Sequence, residues 1–473
     1  MRRLLSPSML PLVLAGCVIA AWPAMTGARE GPDWLQPYRD AAARLIAAAT
    51  ADDHAWQRLA WLTDTYGPRL SGSANLEAAI EWAAATMKAD GLDNVRTEPV
   101  MVPKWVRGHE RLELLDPVPR PLVVLGLGGS VGTPPGGLEA DGLVVSSFDE
   151  LERRAADVKG RIVVFDVPYT GYGQTVQYRS SGASRAAAHG AVATLLRSVG
   201  PMGLRTPHTG ALNYTPGVPQ IPAAAIPIED AQQLARMQAR GQRLRLRLQM
   251  EAGTEPDAPS ANVVGEVAGR ERPEEVVVVG GHFDSWDVGT GAMDDGGGAI
   301  VTWEAVRLMK ALGLRPRRTV RVVLFTNEEN GLRGGLGYRD RHRDELKNHV
   351  LMIESDGGVF RPLGFGFSGG PEAQARVTSI ASLLDPVGAS RISSGGGGAD
   401  IGPSVREGRM PSMSLEVDGS RYFTYHHTPA DTIERLDREE IARCVAAVAV
   451  MAYVVADLPE RLSGDPQATS GDR

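Results

Sequence analysis

Strand patterns alternate with helical patterns in the second half of the chain, and this alternation constrains the fold more than any other feature. Residues 276–279, 321–325 and 350–353 are short apolar runs rich in β-branched residues, and residues 299–312 between the first two have helical periodicity. Strands that alternate with helices along a chain are typical of an open α/β sheet. We therefore predict a mixed, mostly parallel central sheet with helices on both faces, followed by a long C-terminal helix over residues 439–455.

Polar side chains suited to bind metal follow each of the three apolar runs directly. Because the carboxyl ends of the strands in an open α/β sheet form one ligand-binding edge, we expect these side chains to lie close together. A further pair of histidines follows about seventy residues after the third run. The candidate residues are His282, Asp284, Asp294, Asp295, Glu328, Glu329, Asp356, His426 and His427.

The residue types in this group favour a centre with two metal ions. Imidazole and carboxylate groups are common zinc ligands, and a carboxylate can bridge two ions. Two histidines and three carboxylates would give each ion one histidine, one carboxylate of its own and a share of the bridge, with room left for water. The sequence thus predicts two Zn²⁺ per chain, although cobalt or manganese accept the same donors.

Five stretches, taken in order, resemble the family of dizinc aminopeptidases that includes the glutamate carboxypeptidases. They are residues 281–287, 291–296, 327–329, 354–356 and 426–428. The likeness covers nearly the whole chain after residue 28, including residues 66–73, and is greatest to the plasma glutamate carboxypeptidase branch. It implies a zinc exopeptidase that hydrolyses unblocked dipeptides or short peptides, and it alone suggests a homodimer. The pocket chemistry that separates aminopeptidase, carboxypeptidase and dipeptidase is not readable from the sequence.

The resemblance also implies a role for each ligand residue. Asp294 would be the carboxylate that bridges the two ions. His282 and Asp356 would complete one metal site, and Glu329 and His427 would complete the other.

Further expectations around the predicted metal centre come from the same resemblance and from the geometry of an extended chain. Glu328 would be the general base, taking a proton from the metal-bridging water and passing it to the leaving amine. Asp284 would lie beyond the ligands and orient the imidazole of His282. The peptide bond between Asp294 and Asp295 is expected to be cis, and Glu328 and Glu329 are expected to point in opposite directions on an extended chain.

Two positions near the predicted site depart from the family pattern or leave alternatives open. Some relatives have a tyrosine, which hydrogen-bonds the developing oxyanion, where this chain has His426. The donor here would be His426, Tyr425 or Tyr422. Asp400, at the end of the glycine-rich stretch 395–400, would either meet the amino terminus of the substrate or belong to an exposed loop.

Changes in pattern along the chain predict five segments. Residues 1–28 are a signal peptide, 29–114 the first part of a peptidase domain, 115–255 an inserted protease-associated-like domain, 256–460 the main part of the peptidase domain and 461–473 a flexible tail. Helical patterns extend from about residue 34 to 110. The inserted segment is β-rich, with strands near 121–125, 161–166 and 191–196 and one alanine-rich helix near 184–189.

The first residues have the pattern of an export signal. Arg2 and Arg3 precede an apolar run over residues 9–22, and small residues then reach Ala28. The run is shorter than the roughly 20 residues of a membrane span. Residues 14–17 also resemble a lipoprotein processing box, so cleavage before Cys17 would leave a lipid anchor, whereas cleavage near Ala28 would release a periplasmic or secreted protein.

Charge and cysteine content exclude several other classes of protein. The formal net charge is −7, which argues against nucleic acid or an anionic membrane as the main partner. Cys444 is the only cysteine besides Cys17, so no disulfide framework is expected, and we interpret Cys444 as a core residue.

Two enzymes of other classes were weighed against the metallopeptidase hypothesis. Residues 366–370 match the Gly-x-Ser-x-Gly pattern of serine hydrolases, with Ser368 as nucleophile and with Asp418 and His427 in the right chain order. That hypothesis leaves the four strand-end ligands unexplained, and no HGGG motif is present. A single-zinc cyclase-type transferase shares the fold that the resemblance implies, but the chain has ligands for two ions. A non-catalytic receptor is disfavoured because every ligand position is filled by a competent residue.

Overall fold

Two eight-stranded sheets organise residues 32–51 and 53–462, which are the residues that the computed structural model describes. The predicted signal peptide with Cys17, and all but two residues of the predicted tail, lie outside them. The α-helices are α1 (Arg39–Ala51), α2 (His54–Tyr66), α3 (Ala74–Ala89), α4 (Phe148–Arg153), α5 (Ala155–Val158), α6 (Tyr172–Thr175), α7 (Gln177–Ala188), α8 (Ile228–Ala239), α9 (Gly297–Ala311), α10 (Arg333–Arg341), α11 (Pro371–Ala381), α12 (Gly402–Gly408), α13 (Tyr422–Tyr425) and α14 (Arg438–Asp457). The strands are β1 (Asp93–Val106), β2 (Glu110–Asp116), β3 (Arg120–Leu122), β4 (Leu125–Gly126), β5 (Leu138–Val145), β6 (Ile162–Phe165), β7 (Ala193–Arg197), β8 (Ala223–Ile226), β9 (Arg245–Met250), β10 (Gly253–Val267), β11 (Arg272–His282), β12 (Arg318–Phe325), β13 (His349–Glu354), β14 (Pro362–Ser368), β15 (Arg391–Ser394) and β16 (Ser412–Val417).

The central sheet has the strand order β1-β10-β12-β11-β13-β16-β14-β15. Strands β12, β11, β13 and β16 are parallel to their neighbours in this series, and β1, β10 and β14 add antiparallel pairs. Val277 and Val279 of β11 pack into the core on the α9 and α14 face, whereas Val276 and Val278 pack with Tyr338 on the opposite face. Burial on both faces explains why these strands are apolar throughout. The predicted fold class is confirmed.

The predicted elements of the second half occur where the sequence placed them. The three apolar runs lie within β11, β12 and β13, the helix near 299–312 is α9, and the C-terminal helix is α14. The Asp437 side chain caps α14 by accepting hydrogen bonds from the backbone N–H groups of Glu439 and Glu440. Cys444 is buried in this helix and its thiol donates to the Phe360 carbonyl oxygen, so it is a core residue as interpreted.

The prediction of helical structure up to residue 110 is wrong at its end. Helix α3 ends at Ala89, and Asp93–Val106 form the long strand β1 instead. Val95, Thr97, Val100 and Val102 are β-branched residues that favour a strand, and β1 pairs along its length with β10. Pairing with β10 and the strand propensity of these residues therefore both favour a strand, and the prediction of helix up to residue 110 took neither into account.

A second sheet, with the order β3-β2-β9-β5-β6-β7-β8-β4, lies between residues 110 and 250. We call this part of the chain the inserted module (residues 110–250). It contains two 12-residue helices, α7 and α8, of which the sequence analysis predicted only α7. Helix α8 carried a readable signal, because Ile228, Ala231, Leu234 and Met237 form one buried stripe. The segment therefore contains more helix than the β-rich prediction stated.

Strands β1 and β10 form an antiparallel ribbon that joins the two sheets. The chain leaves the central sheet through β1 and returns through β10, with Trp105 opposite Thr254 near the junction. Arg107, just beyond β1, forms an ion pair with Asp287 in the loop after β11, with a shortest N–O distance of 2.6 Å. The ribbon and this ion pair hold the inserted module against the carboxyl ends of the central strands.

None of the helices within residues 32–51 and 53–462 is long and apolar enough to cross a membrane.

His349, at the start of β13, is a buried histidine held in its neutral form. Its Nδ1–H donates to the Glu345 carbonyl oxygen at 3.1 Å, and its Nε2 accepts from the Tyr338 hydroxyl at 2.8 Å. Burial, and then the positive charge of Arg321 with a smaller contribution from His342, lowers the pKa of His349 to about 4. The unfolded chain has an ordinary histidine pKa of about 6.5 at this position.

We predict that His349 contributes to acid destabilisation between about pH 6.5 and pH 4. In this window the unfolded state binds a proton that the folded state rejects, so the free energy of unfolding falls as pH falls, by up to about 3 kcal/mol. Denaturant unfolding at pH 7 and pH 4 should show this loss in the wild type and less of it in His349→Gln. The exposed-site variant His109→Gln should follow the wild type, and a His349→Gln curve parallel to the wild type would contradict the prediction.

Candidate active site

His282 is the last residue of β11, and its backbone position and imidazole are both fixed by neighbours. The His282 N–H donates to Asp295 Oδ2 at 3.1 Å, and Nδ1–H donates to the backbone carbonyl oxygen of Asp284 at 2.9 Å. This leaves Nε2 directed at Asp294 Oδ1, 3.1 Å away, and Asp356 Oδ1, 3.5 Å away. The imidazole therefore presents Nε2 towards two carboxylates, and this is the nitrogen that would bind a metal.

The loop between β11 and α9 carries Asp294, and buried acids hold it in place. The Asp294–Asp295 peptide bond is cis, as the resemblance implied. Asp431 accepts hydrogen bonds from the N–H groups of Met293 and Asp294, at 2.8 and 3.2 Å. The sequence analysis gave Asp431 no role. Its only signal was its position in the stretch that follows His427.

Glu328 and Glu329 follow β12 in a turn, not on an extended chain as expected. Asn327 adopts a left-handed conformation (φ 65°), which asparagine tolerates better than most residues. The Asp284 carboxylate accepts from the N–H of Glu328 at 3.0 Å and from the N–H of Glu329 at 3.3 Å. Asp284 thus reaches His282 through its backbone carbonyl, while its carboxylate, 3.8 Å from Nδ1, holds the Glu328–Glu329 turn.

His427 approaches Asp294 from the opposite side to His282. Its Nε2 lies 3.2 Å from Asp294 Oδ2 and 3.0 Å from Glu329 Oε2. The ring of His426 stacks on that of His427 with centroids 3.5 Å apart, and His426 Nε2 is 3.4 Å from Asp294 Oδ2. Trp286, within the motif at 281–287, places its Nε1 3.2 Å from His427 Nε2.

The structure brings all five predicted ligand residues together around Asp294. Three sets of donor atoms each lie within 4.8 Å of one another. They are those of Asp294, His426 and His427; of His282, Asp295 and Asp356; and of His282, Asp294 and Glu329. Buried oxygens Asp294 Oδ2 and Glu329 Oε1 receive no hydrogen bond. Since a buried carboxylate oxygen without a donor is costly, this donor set fits one or more cations.

The pKa values of the site report crowded negative charge. Burial and then the charge of Asp294 raise the pKa of Glu329 to about 7, and burial followed by Asp356 and Glu329 raises the pKa of Glu328 well above its usual value. Burial would lower the pKa of His427, but the charge of Glu329 and hydrogen bonds to Asp294 and Glu329 outweigh it and raise the pKa to about 10. A bound cation would relieve the repulsion that causes these shifts.

The inserted module supplies side chains that the sequence analysis missed. The Thr209 carbonyl oxygen lies 3.3 Å from His427 Nδ1, and Arg179 Nη1 lies 3.3 Å from both. The tautomer that frees His427 Nε2 for a metal has Nδ1–H donating to Thr209. Tyr172 hydrogen-bonds Arg179 through its hydroxyl at 2.8 Å. No motif marks these three positions, because they come from a different sheet and lie more than 70 residues from the nearest motif residue.

A cavity of about 320 Å³ opens over the five predicted ligand residues around Asp294, which we call the metal-ligand cluster. Its walls are Tyr172, Arg179, Asp294, Glu328, Glu329, Asp356, Tyr422, Phe423, His426 and His427. A second cavity of about 400 Å³, lined by Trp105, Leu212 and Leu332 among others, meets the first at Glu328 and Glu329. Space for a ligand therefore exists on both sides of these two glutamates.

Asp400 and Ser368, which the sequence offered as candidate functional residues, do not line this cavity. Asp400 is buried beside Glu354 and Gly335, neither exposed nor part of the cavity wall. Ser368 Oγ accepts from the Gly396 N–H at 2.9 Å, while Asp418 pairs with Arg361 at the surface. Because His427 contacts Thr209 and the metal-ligand cluster and no contact to Asp418 is seen among the described residues, the serine-hydrolase triad is not assembled. Of the tyrosines considered as oxyanion donors, Tyr422 lines the cavity and Tyr425 does not.

Comparison with known proteins agrees with this site. The model of peptidase family M28 matches residues 262–452. The chain is 46% identical over 457 residues to carboxypeptidase Q of Bos taurus, covering 96% of this chain and 97% of that protein. It is 47% identical to carboxypeptidase Q of Homo sapiens over 88% of each chain. The crystal structure of a peptidase M28 precursor from Shewanella amazonensis is 36% identical with a TM-score of 0.86, covering 91% of this chain and 99% of that one.

A more distant structure shares the fold alone. The structure of BSAP, a zinc aminopeptidase from Bacillus subtilis, superposes with a TM-score of 0.64 at 21% identity, covering 87% of this chain and 97% of that one. Fold, donor set and relatives define a metal-dependent peptidase. The chain belongs to peptidase family M28, and the resemblance drawn from its motifs is confirmed.

We predict that Asp284→Asn lowers kcat/KM about 10- to 100-fold without unfolding the protein. The amide keeps the shape of the side chain but turns an N–H₂ group towards the N–H of Glu328 or Glu329, which displaces the turn that carries both. Steady-state kinetics with a circular dichroism spectrum would test this. Asp257→Asn, at an exposed position, is the control, and unchanged activity in Asp284→Asn would show that the turn does not depend on this carboxylate.

Proposed function

We propose that the protein is a co-catalytic dizinc exopeptidase that hydrolyses unblocked dipeptides or short peptides. The observation that carries the proposal is the convergence of two histidines on opposite oxygens of one buried aspartate, His282 on Oδ1 and His427 on Oδ2 of Asp294. A carboxylate flanked in this way is suited to bridge two ions. BSAP, a zinc aminopeptidase that shares this fold, supports zinc as the metal.

The distances support a division of ligands between two ions. His282 Nε2 is 3.5 Å from Asp356, and His427 Nε2 is 3.0 Å from Glu329. His282 and Asp356 would hold one ion, Glu329 and His427 the other, and Asp294 both. When bound, the ions would supply Lewis-acid activation of water and of the substrate carbonyl group.

Glu328 is the proposed general base. It lines the cavity beside Glu329, and its backbone is fixed by Asp284. A pKa raised by burial brings a carboxylate closer to the pKa that suits proton transfer near neutral pH. Glu328 accepts a proton from the attacking water and delivers it to the leaving amine nitrogen, so one residue serves both halves of the reaction.

The oxyanion that forms on the scissile carbonyl needs a hydrogen-bond donor, and His426 and Tyr422 are the candidates. Both line the cavity. His426 replaces the tyrosine of some relatives, and its stacking on His427 keeps its ring next to the metal ligands. Tyr422 is buried, and burial raises its pKa well above its usual value, so its hydroxyl remains protonated and able to donate.

Substrate size, location and assembly form part of the same proposal. The relatives named carboxypeptidase Q and the small cavity support short peptides with free termini as substrates. The predicted signal peptide supports export, either as a soluble protein or with a lipid anchor on Cys17, and a homodimer follows from the resemblance. We regard the inserted module as protease-associated-like. A serine hydrolase based on Ser368 and a single-zinc transferase are the disfavoured alternatives.

We predict two zinc ions per purified chain and complete loss of dipeptide hydrolysis after chelation. Removing the cations restores repulsion among Asp294, Glu329 and Asp356, so the chelated protein should also unfold at a lower temperature. Elemental mass spectrometry, dipeptide hydrolysis and a thermal melt measure the three effects, and added zinc should reverse them. Activity that persists without metal and disappears in Ser368→Ala would refute the proposal.

We predict that Glu328→Gln lowers kcat about 10²- to 10⁴-fold while both metal ions are retained. The amide preserves the shape of the residue but cannot take up the proton. The control is Glu274→Gln at an exposed position of β11, which should keep full activity. Metal loss together with activity in Glu328→Gln would instead assign Glu328 to the ligand set.

A further inference from the structure

Arg179 of helix α7 is a buried arginine that has no carboxylate partner among the residues that the structure describes. Arg58, Arg318 and Arg321 are also buried, and each forms an ion pair with an acidic side chain. Arg69 has no such pair, but four backbone carbonyl oxygens accept its hydrogen bonds. Within residues 32–51 and 53–462, no carboxylate is found within ion-pair distance of Arg179, and its Nε has no hydrogen-bond partner.

Neighbouring residues of the inserted module hold the Arg179 guanidinium in one position. Nη2 donates to the Tyr172 hydroxyl at 2.8 Å and Nη1 to the Thr209 carbonyl oxygen at 3.3 Å. Gly210 leaves the space for the guanidinium, because a Cβ at this position would lie 2.3 Å from Nη1. Gly210 also has a φ of 133°, which residues with a side chain rarely adopt. The inserted module therefore uses a tyrosine, a carbonyl and a glycine to hold one cation in place.

The guanidinium lies in the wall of the cavity that contains the reaction centre. Arg179, Glu328, Asp356 and His427 line the same 320 Å³ space, and Arg179 Nη1 is 3.3 Å from the imidazole of His427. A buried charge without a counter-ion is unfavourable, so this site favours an anionic ligand. A guanidinium in a cavity wall is suited to bind a carboxylate with more than one hydrogen bond.

We propose that Arg179 binds the terminal carboxylate of the peptide substrate and so selects for a free C-terminus close to the scissile bond. The inference rests on the proposed peptidase function and deepens it. Because Arg179 Nη1 lies 3.3 Å from His427 Nδ1, a carboxylate bound by Arg179 would lie beside the candidate metal ligands. The residue released by hydrolysis would therefore be the C-terminal one.

A purely structural role for Arg179 makes a different prediction. In that case Arg179 would only keep Thr209 and Tyr172 in place, and its loss would impair every substrate alike. A carboxylate-binding role affects only substrates that carry the carboxylate. The two roles are separated by a dipeptide and the same dipeptide with a C-terminal amide, which differ in that one charge.

The test is kcat/KM of the zinc-loaded full-length protein on this pair of substrates. We expect the wild type to prefer the free dipeptide by about 100-fold, because charged hydrogen bonds are lost with the amide. Arg179→Gln should lose most of this preference by a fall on the free dipeptide, with little change on the amide, and Arg179→Lys should keep part of it. Arg185→Gln, at an exposed position of the same helix, should behave like the wild type.

The outcomes separate this inference from the proposed function. Equal losses on both substrates in Arg179→Gln, or a wild type without preference for the free carboxylate, would overturn the role of Arg179 and leave the peptidase intact. A zinc-loaded wild type that hydrolyses neither substrate would overturn both. A melting temperature for Arg179→Gln close to the wild type, with the preference lost, is the result that supports the inference.

Discussion

The rest of this structure depends on keeping the Asp294 carboxylate buried and fixed at the end of β11. His282 and His427 approach its two oxygens from opposite sides, and Asp431 binds its backbone N–H. None of these contacts is local in sequence, since they join residues more than ten positions apart. The conformational preferences of the loop residues do not by themselves keep a buried acid among other acids. The surrounding fold, together with any cation bound there, holds the loop in place.

The neighbouring acids divide between holding the backbone and facing the cavity. Asp295 accepts from the N–H groups of His282 and Gly298, and Asp284 accepts from those of Glu328 and Glu329. These carboxylates are satisfied by backbone donors. Asp294 and Glu329 keep oxygens that receive no hydrogen bond within residues 32–51 and 53–462, so carboxylates hold the backbone in one place and are proposed as metal ligands in another. A carboxylate holds the backbone where N–H groups lie within hydrogen-bond distance of it, and it faces the cavity where they do not.

Sequence reasoning predicted the parts of this site that are encoded locally. A ligand directly after an apolar strand can be read from the chain, because the strand fixes where its last residue lies, and this identified His282, Glu329 and Asp356. The expected extended chain at Glu328 was wrong, since the left-handed Asn327 turns the backbone there. Predicting that turn required knowledge of the Asp284 carboxylate that receives its N–H groups.

The features missed from sequence share one physical origin, which is packing between the two sheets. Arg179 and Thr209 meet His427 only because the β1–β10 ribbon carries the inserted module to the edge of the central sheet. Nothing in the local sequence of either residue encodes that approach. Helix α8 is the exception, because its apolar stripe was readable and was overlooked.

The inserted module is therefore part of the reaction centre and not a separate attachment to it. Its Thr209 carbonyl oxygen lies 3.3 Å from His427 Nδ1 and would accept a hydrogen bond from it when Nε2 binds a metal, so a proposed ligand of the central sheet is positioned from outside that sheet. Its Tyr172 and Arg179 form one side of the cavity wall. The Arg107–Asp287 ion pair and the long β1–β10 ribbon fix the position of the module at two points. A displacement of the module would therefore disturb the geometry of the proposed ligands and of the proposed substrate site together.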